Sequence, residues 1–301
     1  MTDAHVVAWG APVRSGGTMT APLREVLVHR PDAAFGAAFE DPAHGFRHPV
    51  DLLTAQVEHD IYTDLLARLG VRVHRLVVQT DDPDLVYTFD PVLMTDAGAI
   101  LLRPGKPSRL GEPRILRKWL TTAGVPLAGR IGPRATVEGG DIVWLRPDLV
   151  CVGRSLRTNA AGARQLAALL ATATPGVVVR TFDLPYWRGP GELVHLLSVI
   201  SPVTDDLAVI YPPLLPIGLW DLLRELRIRT VAVPDEEWPT LGPNVLAVRP
   251  GVVIMADGNP VTRRSLESAG CEVHTYPATE LGLNGSGGPT CMALPLVRGQ
   301  L

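Results

Sequence analysis

Residues 141–182 read DIVWLRPDLVCVGRSLRTNAAGARQLAALLATATPGVVVRTF. The pattern predicts two short apolar strands joined by a turn at 146–148, then an amphipathic helix, then a third apolar strand. Thr158 is the predicted N-cap of the helix, because apolar residues follow it at three- and four-residue spacing. Apolar strands alternating with a helix that has one apolar face indicate the α/β class.

The same strand–strand–helix–strand unit recurs about every 50 residues along the chain. Four copies begin at Pro91, Asp141, His195 and Asn244, and a fifth is divided between 24–78 and the closing strand 291–297. The predicted helices lie near 50–69, 112–124, 158–171, 217–226 and 260–269. A fixed period of this size predicts modules packed around an axis, which the divided module would close. We therefore predict an α/β fold of five ββαβ modules with pseudo-fivefold symmetry, forming a single domain over residues 1–301.

Composition excludes several classes of function. The formal net charge of −3 over 301 residues gives no electrostatic basis for binding nucleic acid or an anionic membrane. The three cysteines are sparse and lack zinc spacing, so we expect neither a disulfide framework nor a metal site. The opening residues do not resemble a signal peptide, and no apolar run approaches the roughly 18 residues of a membrane span. We expect a cytoplasmic enzyme.

Reactive polar residues fall at the starts of these units. Asp90, Glu138 with Asp141, His195 and Cys291 each lie at, or within a few residues before, the first strand of a unit. Equivalent positions in a ring of similar modules point to the same end of the axis. Residues far apart in sequence can therefore converge on one central site.

Cys291 is the candidate nucleophile and His195 its candidate acid/base partner. Cys291 ends the glycine-rich stretch NGSGGPTC, where exposed backbone N–H groups can favour a thiolate. The alternative is a free cysteine that only packs in the core, which is our interpretation of Cys151 and Cys271. A single histidine is more often structural than catalytic, but His195 occupies the same place in its unit as Cys291.

Charged residues near these positions suggest a site for a cationic, amino-acid-like substrate. In TVEGGDIVWL, Glu138 and Asp141 surround a Gly–Gly turn and could fix a cation by charge-assisted hydrogen bonds, or could be solvated acids of a hairpin. Asp84 and Asp90 carry the same ambiguity. Two arginines could bind a substrate carboxylate through a bidentate fork or lie on the surface, namely Arg109 and Arg157.

Four segments together resemble the pentein superfamily of guanidine-modifying enzymes, most closely the dimethylarginine dimethylaminohydrolases, with the arginine deiminases next. They are RPGKPSR at 103–109, EGGD at 138–141, GRSLRTN at 153–159 and GGPTC at 287–291. The resemblance covers nearly the whole chain and implies a five-module propeller, which agrees with the period read from the sequence.

The resemblance also implies roles for individual residues. Cys291 matches the nucleophile, His195 the general acid/base, and Glu138 the carboxylate that serves both the histidine and the substrate guanidinium. Asp90 matches the guanidinium-binding aspartate. Asp141 is placed with the substrate-binding group, and the amino-acid end of the substrate is assigned to Asp84, Arg109 and Arg157.

The implied reaction is hydrolysis of an N-methylated arginine to citrulline and methylamine or dimethylamine, through a covalent thiouronium on Cys291. No cofactor or metal is implied. The partner is a small guanidino substrate, arginine or methylated arginine, and a homodimer is left open. Segments 10–20 and 32–48 are Gly-, Ala- and Pro-rich, which suggests a mobile cover.

Three departures from the family pattern leave the substrate open. Leu197 stands where arginine deiminases carry an aspartate, and an apolar residue there favours a substrate with an alkylated guanidine nitrogen. Phe89, in contrast, stands where bacterial dimethylarginine enzymes carry an acid. Thr290 replaces the His or Arg common in deiminases. The alternatives are arginine deimination, dihydrolysis to ornithine, amidino transfer, or a propeller that binds a ligand without catalysis.

Overall fold

The computed structural model describes residues 17–189 and 194–299. The strands in chain order are β1 Leu23–Val28, β2 Arg72–Arg75, β3 Val92–Thr95, β4 Gly98–Leu101, β5 Leu127–Arg130, β6 Ile142–Arg146, β7 Leu149–Arg154, β8 Val178–Asp183, β9 Ile200–Thr204, β10 Leu207–Ile210, β11 Arg229–Ala232, β12 Val245–Arg249, β13 Val252–Ala256, β14 Glu272–Tyr276 and β15 Leu294–Arg298. The α-helices are α1 Ala33–Gly36, α2 Leu52–Arg68, α3 Glu112–Thr122, α4 Ala160–Ala173, α5 Ile217–Glu225 and α6 Pro260–Ser268.

The described strands form five three-stranded sheets with one shared topology. In each sheet, an antiparallel pair is extended by a third strand that runs parallel to the middle one. The predicted pairing of the chain ends is confirmed, because β15 runs antiparallel to β1 with Leu27 opposite Leu294. A parallel neighbour requires a crossover, and helices α2 to α6 supply it.

In helix α4, the apolar residues spaced three or four apart in the sequence form the face that packs against the sheet. Its buried face carries Ala163, Leu166 and Leu170, which join one apolar cluster with Val150 and Val152 of β7. Leu166 is fully buried, so truncating it to alanine would cost about 2–5 kcal/mol of stability.

The N-cap prediction for α4 was wrong by one residue. Asn159 is the N-cap, and its Oδ1 accepts a hydrogen bond from Gly162 N at 2.8 Å. The Thr158 hydroxyl instead accepts a hydrogen bond from Glu138 N at 3.2 Å. Both residue types can cap a helix, and the contact with the neighbouring EGGD segment determines which of them does.

Two predicted strands begin later than the sequence pattern indicated, and both differences concern the reactive residues. Leu196–Ser198 is a 3₁₀ turn and β9 begins only at Ile200. Cys291 likewise precedes its strand, since β15 begins at Leu294. His195 and Cys291 therefore lie just before β9 and β15 and not within them, where a side chain is less constrained by strand pairing.

The two predicted cover segments have different outcomes. Residues 10–16 of the first lie outside the described part of the chain. Segment 32–48 contains α1 and the 3₁₀ turns Ala38–Glu40 and Pro42–His44. Within the described ranges, no helix combines the length and hydropathy needed to cross a bilayer.

Candidate active site

Glu138 and His195 form a buried pair at the centre of the site. Glu138 directly precedes the turn Gly139–Asp141, which leads into β6. His195 directly precedes the 3₁₀ turn Leu196–Ser198 before β9. His195 Nε2 lies 2.8 Å from Glu138 Oε2. Glu138 is fully buried and His195 is 8% exposed. The sequence brought these residues together only through their equivalent places in two units, and the structure confirms that they meet.

Glu138 is surrounded by donors. Its Oε1 accepts hydrogen bonds from Arg157 Nη1 at 2.9 Å and from Gly105 N at 2.8 Å. Burial alone would raise the pKa of Glu138, but the His195 hydrogen bond and the cationic charges of His195, Arg157 and Arg109 together lower it well below its usual range. Glu138 is therefore a carboxylate at neutral pH.

His195 carries a positive charge in this setting. Burial acts to lower its pKa, but the carboxylates of Asp141, Glu138 and Asp90 outweigh burial and raise the pKa to about 9. At neutral pH, the ring is thus an imidazolium that holds a proton ready for donation.

Asp141 binds the turn that follows His195. It is fully buried, and its Oδ1 accepts a hydrogen bond from Leu196 N at 3.0 Å while its Oδ2 accepts one from Ser155 Oγ at 2.6 Å. Burial raises its pKa to about 6. Because both oxygens accept hydrogen bonds within the protein, Asp141 positions the His195 turn in this arrangement. Its assignment to the substrate-binding group stays a prediction.

Asp90 lies beside this pair. Its Oδ1 accepts a hydrogen bond from Gly140 N at 2.8 Å and its Oδ2 accepts one from Arg109 Nη1 at 2.7 Å. One ligand atom from each of Asp90, Glu138 and His195 lies within 4.8 Å of the others, so this trio has metal-site spacing. Each of these three residues also forms a hydrogen bond to a protein group.

Arg109 is held inside the protein. It is 3% exposed, and its Nε and Nη2 form a fork with Glu112 at 2.7 and 3.0 Å. Its Nη2 also donates to Tyr87 O at 3.2 Å. In this arrangement Arg109 binds Glu112 and Asp90, and its assignment to the amino-acid end of the substrate stays a prediction. Glu112 was missed, because a glutamate in the first turn of a helix is usually solvated.

Asp84 is a buried acid, whereas Arg157 is partly exposed. Lys106 Nζ lies 2.6 Å from Asp84 Oδ2 and 3.1 Å from His44 O, so it joins the 32–48 segment to the site. The Arg157 side chain is 19% exposed and uses Nη1 on Glu138, which leaves part of its guanidinium accessible. Lys106 was not predicted, although it lies within the quoted RPGKPSR segment.

Cys291 lies on the other side of Asp90. Its carbonyl accepts a hydrogen bond from Phe89 N at 3.1 Å, and its own N–H donates to Gly288 O at 3.0 Å. Burial, reinforced by the Asp90 charge, raises the thiol pKa to about 11. A hydrogen bond from Gly288, the Thr290 hydroxyl and the Arg109 charge act in the opposite direction. With this pKa, the Cys291 thiol is protonated at neutral pH in the substrate-free protein.

The predicted residues are joined by hydrogen bonds that pass from each unit start to the next. These bonds are Phe89 N to Cys291 O (3.1 Å), Gly140 N to Asp90 Oδ1 (2.8 Å), Leu196 N to Asp141 Oδ1 (3.0 Å), Ser201 Oγ to Pro243 O (2.7 Å) and Thr290 N to Asn244 Oδ1 (3.1 Å). Asn244 was named in the sequence only as a unit start. The arrangement combines a thiol, an imidazolium and several carboxylates, which suits nucleophilic attack on a bound cation.

Comparison with known proteins gives a consistent result. Residues 77–224 and 219–298 match the family model described as arginine deiminase. Over 245 residues, the chain is 31% identical to N(G),N(G)-dimethylarginine dimethylaminohydrolase of Pseudomonas aeruginosa, covering 81% of this chain and 89% of that protein. It is 30% identical over 261 residues to the arginine deiminase of Listeria welshimeri, covering 73% of this chain but spanning only 63% of that enzyme.

A solved structure of the Pseudomonas aeruginosa enzyme agrees in fold. It is a cysteine-to-serine variant in complex with citrulline. It superimposes with a TM-score of 0.76 at 25% identity and covers 91% of this chain and 99% of that one.

Proposed function

Because the chain belongs to the arginine deiminase family, within the pentein superfamily of guanidine-modifying enzymes, we propose that it hydrolyses an N-methylated arginine to citrulline and methylamine or dimethylamine. Family membership makes it a hydrolase of C–N bonds in linear amidines. The observation that carries the proposal is the imidazolium of His195, held 2.8 Å from buried Glu138, in the same cluster as Asp90 and the Cys291 turn.

The cluster suits a guanidinium ligand. Asp90 already binds a guanidinium, that of Arg109, at 2.7 Å, and Glu138 binds that of Arg157 at 2.9 Å. Planar carboxylate–guanidinium pairing of this kind is the strongest ordinary form of charged hydrogen bonding. A substrate guanidinium between these carboxylates would place its central carbon near Cys291.

The first half-reaction uses the substrate's own charge. A guanidinium beside Sγ supplies the cation that favours loss of the thiol proton to solvent, against a pKa raised to about 11. Sγ then bonds to the guanidino carbon and the C=N electrons move to nitrogen. His195 donates its proton to the substituted nitrogen, the C–N bond breaks, and the amine leaves behind a thiouronium on Cys291.

The second half-reaction uses the same histidine as a base. Neutral His195 takes a proton from water, and the resulting hydroxide adds to the thiouronium carbon. The C–S bond then breaks, its electrons return to sulfur, and the hydroxyl proton of the adduct passes through solvent to the sulfur as the neutral ureido product leaves. His195 ends protonated and Cys291 ends as a thiol, so both residues return to their starting states.

Two observations favour a substrate with a substituted guanidine nitrogen: the apolar residue Leu197, and the share of each relative's length that this chain spans. Leu197 is 1% exposed and apolar, so it cannot accept a hydrogen bond from an unsubstituted guanidine nitrogen. The chain also spans 89% of the dimethylarginine enzyme but 63% of the Listeria arginine deiminase. These observations favour the methylated substrate over arginine.

The amino-acid end of the substrate is assigned to Arg157, which is partly exposed, and to Asp84, which is buried beside Lys106. Arg157 would bind the carboxylate and Asp84, shared with Lys106, the amino group. Arg109 would remain with Glu112 and hold Asp90 in place.

The fold is proposed to be a five-module propeller with pseudo-fivefold symmetry in a single domain. Its support is the series of hydrogen bonds between successive unit starts, which passes through all five sheets and returns to the first. Such a closed series brings Cys291 and His195 to one end of a common axis.

Product analysis tests the reaction. Purified wild type and the Cys291→Ser variant are each given arginine and asymmetric dimethylarginine. We expect citrulline and dimethylamine from the second substrate in wild type only, and full activity in the control variant Cys271→Ser, whose thiol is distant in sequence and has no role in the site. Ammonia released from arginine instead would make the enzyme a deiminase or dihydrolase. Inactivity of the wild type on both substrates would remove the methylated-arginine assignment.

A further inference from the structure

Asn244 connects the start of β12 to the turn that carries Cys291. It is 5% exposed, and its Oδ1 accepts hydrogen bonds from Thr290 N at 3.1 Å and from Thr290 Oγ1 at 3.0 Å. Its Nδ2 lies 3.9 Å from Cys291 Sγ. A Cβ added to Gly288 would come within 2.3 Å of Asn244 Oδ1, so the glycine makes this close approach of the loop feasible.

The orientation of this amide follows from its partners. The Thr290 backbone N–H is a donor, so the atom of Asn244 that meets it must be the carbonyl oxygen. The amide N–H₂ must then face the opposite direction, toward the sulfur. Oxygen and nitrogen of the side chain therefore cannot be exchanged without breaking the bond to Thr290.

Cys291 has a particular need for such a donor. No lysine, arginine or histidine of residues 17–189 and 194–299 lies within hydrogen-bond distance of Sγ. The nearby Asp90 charge opposes ionisation of the thiol. Neutral donors are thus the local groups that can stabilise a thiolate before and during attack.

We infer that Asn244 is a positioning residue for the nucleophile, whose carbonyl fixes Thr290 while its N–H₂ group donates to the sulfur of Cys291. The inference rests on Cys291 being the nucleophile of the proposed function. A carboxamide is suited to this role because one planar group provides both the acceptor and the donor. An aspartate would keep the acceptor but would present a negative oxygen to the sulfur.

The test measures ionisation of the thiol without any substrate. Wild type, Asn244→Asp and the control Asn259→Asp are alkylated with iodoacetamide between pH 6 and 11, and the Cys291 peptide is quantified by mass spectrometry. Asn259 is also a buried amide, at 3% exposure, but its Nδ2 donates to the carbonyls of Ala256 and Thr240 instead. The control therefore reports general loss of a buried amide.

Because the Cys291 pKa of about 11 lies at the upper end of this range, the midpoint is derived from the rates below it: we expect Asn244→Asp to alkylate about tenfold more slowly than wild type throughout pH 6–10, which corresponds to a midpoint raised by about one pH unit. Asn259→Asp should leave the midpoint unchanged even if its melting temperature falls. If Asn244→Asp does not fold, Asn244→Ser replaces it and should move the midpoint in the same direction by less. An unchanged midpoint in a folded Asn244 variant would overturn the inference.

Failure of the inference and failure of the proposed function give different results. If the midpoint responds to Asn244 but Cys291→Ser still turns over substrate, the positioning role stands and the reaction proposed for Cys291 fails. If Cys291→Ser is inactive and the midpoint ignores Asn244, the reaction stands and the positioning role fails.

Discussion

His195 and His59 are both buried histidines with opposite electrostatics. His195, beside Glu138, has its pKa raised to about 9 by three carboxylates that outweigh burial. His59 lies on α2 with no hydrogen-bond partner for either ring nitrogen among the described residues. Burial, together with the charge of nearby Arg75, lowers its pKa to about 3. Burial thus excludes a charged imidazole unless acids surround it, and the acids around His195 are what turn an ordinary histidine into a proton donor.

Glu138→Gln would make His195 resemble His59 and should have the largest effect. The variant keeps the shape of the side chain but removes the charge that stabilises the imidazolium. We expect kcat/KM to fall by roughly 10²–10³-fold, as for loss of a general acid–base partner. Because the acid form is the one required, a lower His195 pKa should also move the alkaline limb of the pH–rate profile to lower pH. A limb that stays in place would contradict the assignment of that limb to His195.

His59→Phe tests the other member of the comparison through stability. The pKa of His59 is lower folded than unfolded, so its contribution to stability is present above about pH 6.5 and is lost as the pH falls toward 3. Between pH 7 and pH 5, wild type should lose about 2 kcal/mol more unfolding free energy than the variant. Urea unfolding at the two pH values measures this difference. Equal losses in the two proteins would mean that His59 can be protonated without cost in the fold.

Asp141→Asn should have the smaller effect of the two variants that remove an acid near His195. An asparagine oxygen can still accept the hydrogen bond from Leu196 N, and its amide can still meet Ser155, so the turn is kept. The variant removes the Asp141 charge, which contributes strongly to the raised His195 pKa, whereas Glu138 contributes both its charge and a hydrogen bond to the ring. We expect about a tenfold decrease in kcat with KM nearly unchanged, and a smaller shift of the alkaline limb than in Glu138→Gln. A larger loss than in Glu138→Gln would reverse the order of importance given to the two acids.

The sequence pattern predicted those features that depend on burial. The spacing of apolar residues predicted five strand–strand–helix–strand units and the pairing of the two chain ends. It could do so because each strand and helix must turn an apolar face to the core, whichever elements lie beside it. The same period gave Asp90, Glu138, His195 and Cys291 equivalent places in their units, and in the structure each of them precedes an edge strand of its sheet, β3, β6, β9 or β15. Asp90, Glu138 and His195 lie close together.

Side-chain partners could not be predicted in the same way. Arg109 was expected to bind substrate, yet Glu112 and Asp90 occupy its donors. Asn244 faces Cys291, which lies 47 residues further along the chain, and Asn159 rather than the predicted Thr158 caps its helix. A polar side chain chooses among several nearby partners of similar strength, so the choice depends on tertiary distances that no local pattern contains.

The most direct test of the central claim is to trap the covalent intermediate. His195→Gly, which should attack but not complete hydrolysis, is incubated with S-methyl-L-thiocitrulline and analysed by intact-protein and peptide mass spectrometry. A relative in this family, a dimethylarginine dimethylaminohydrolase with a histidine-to-glycine change, has been solved as an adduct with this compound. We predict one adduct per chain, located on Cys291 and missing when Cys291→Ser is added. No adduct, or an adduct on Cys151 or Cys271, would contradict the account.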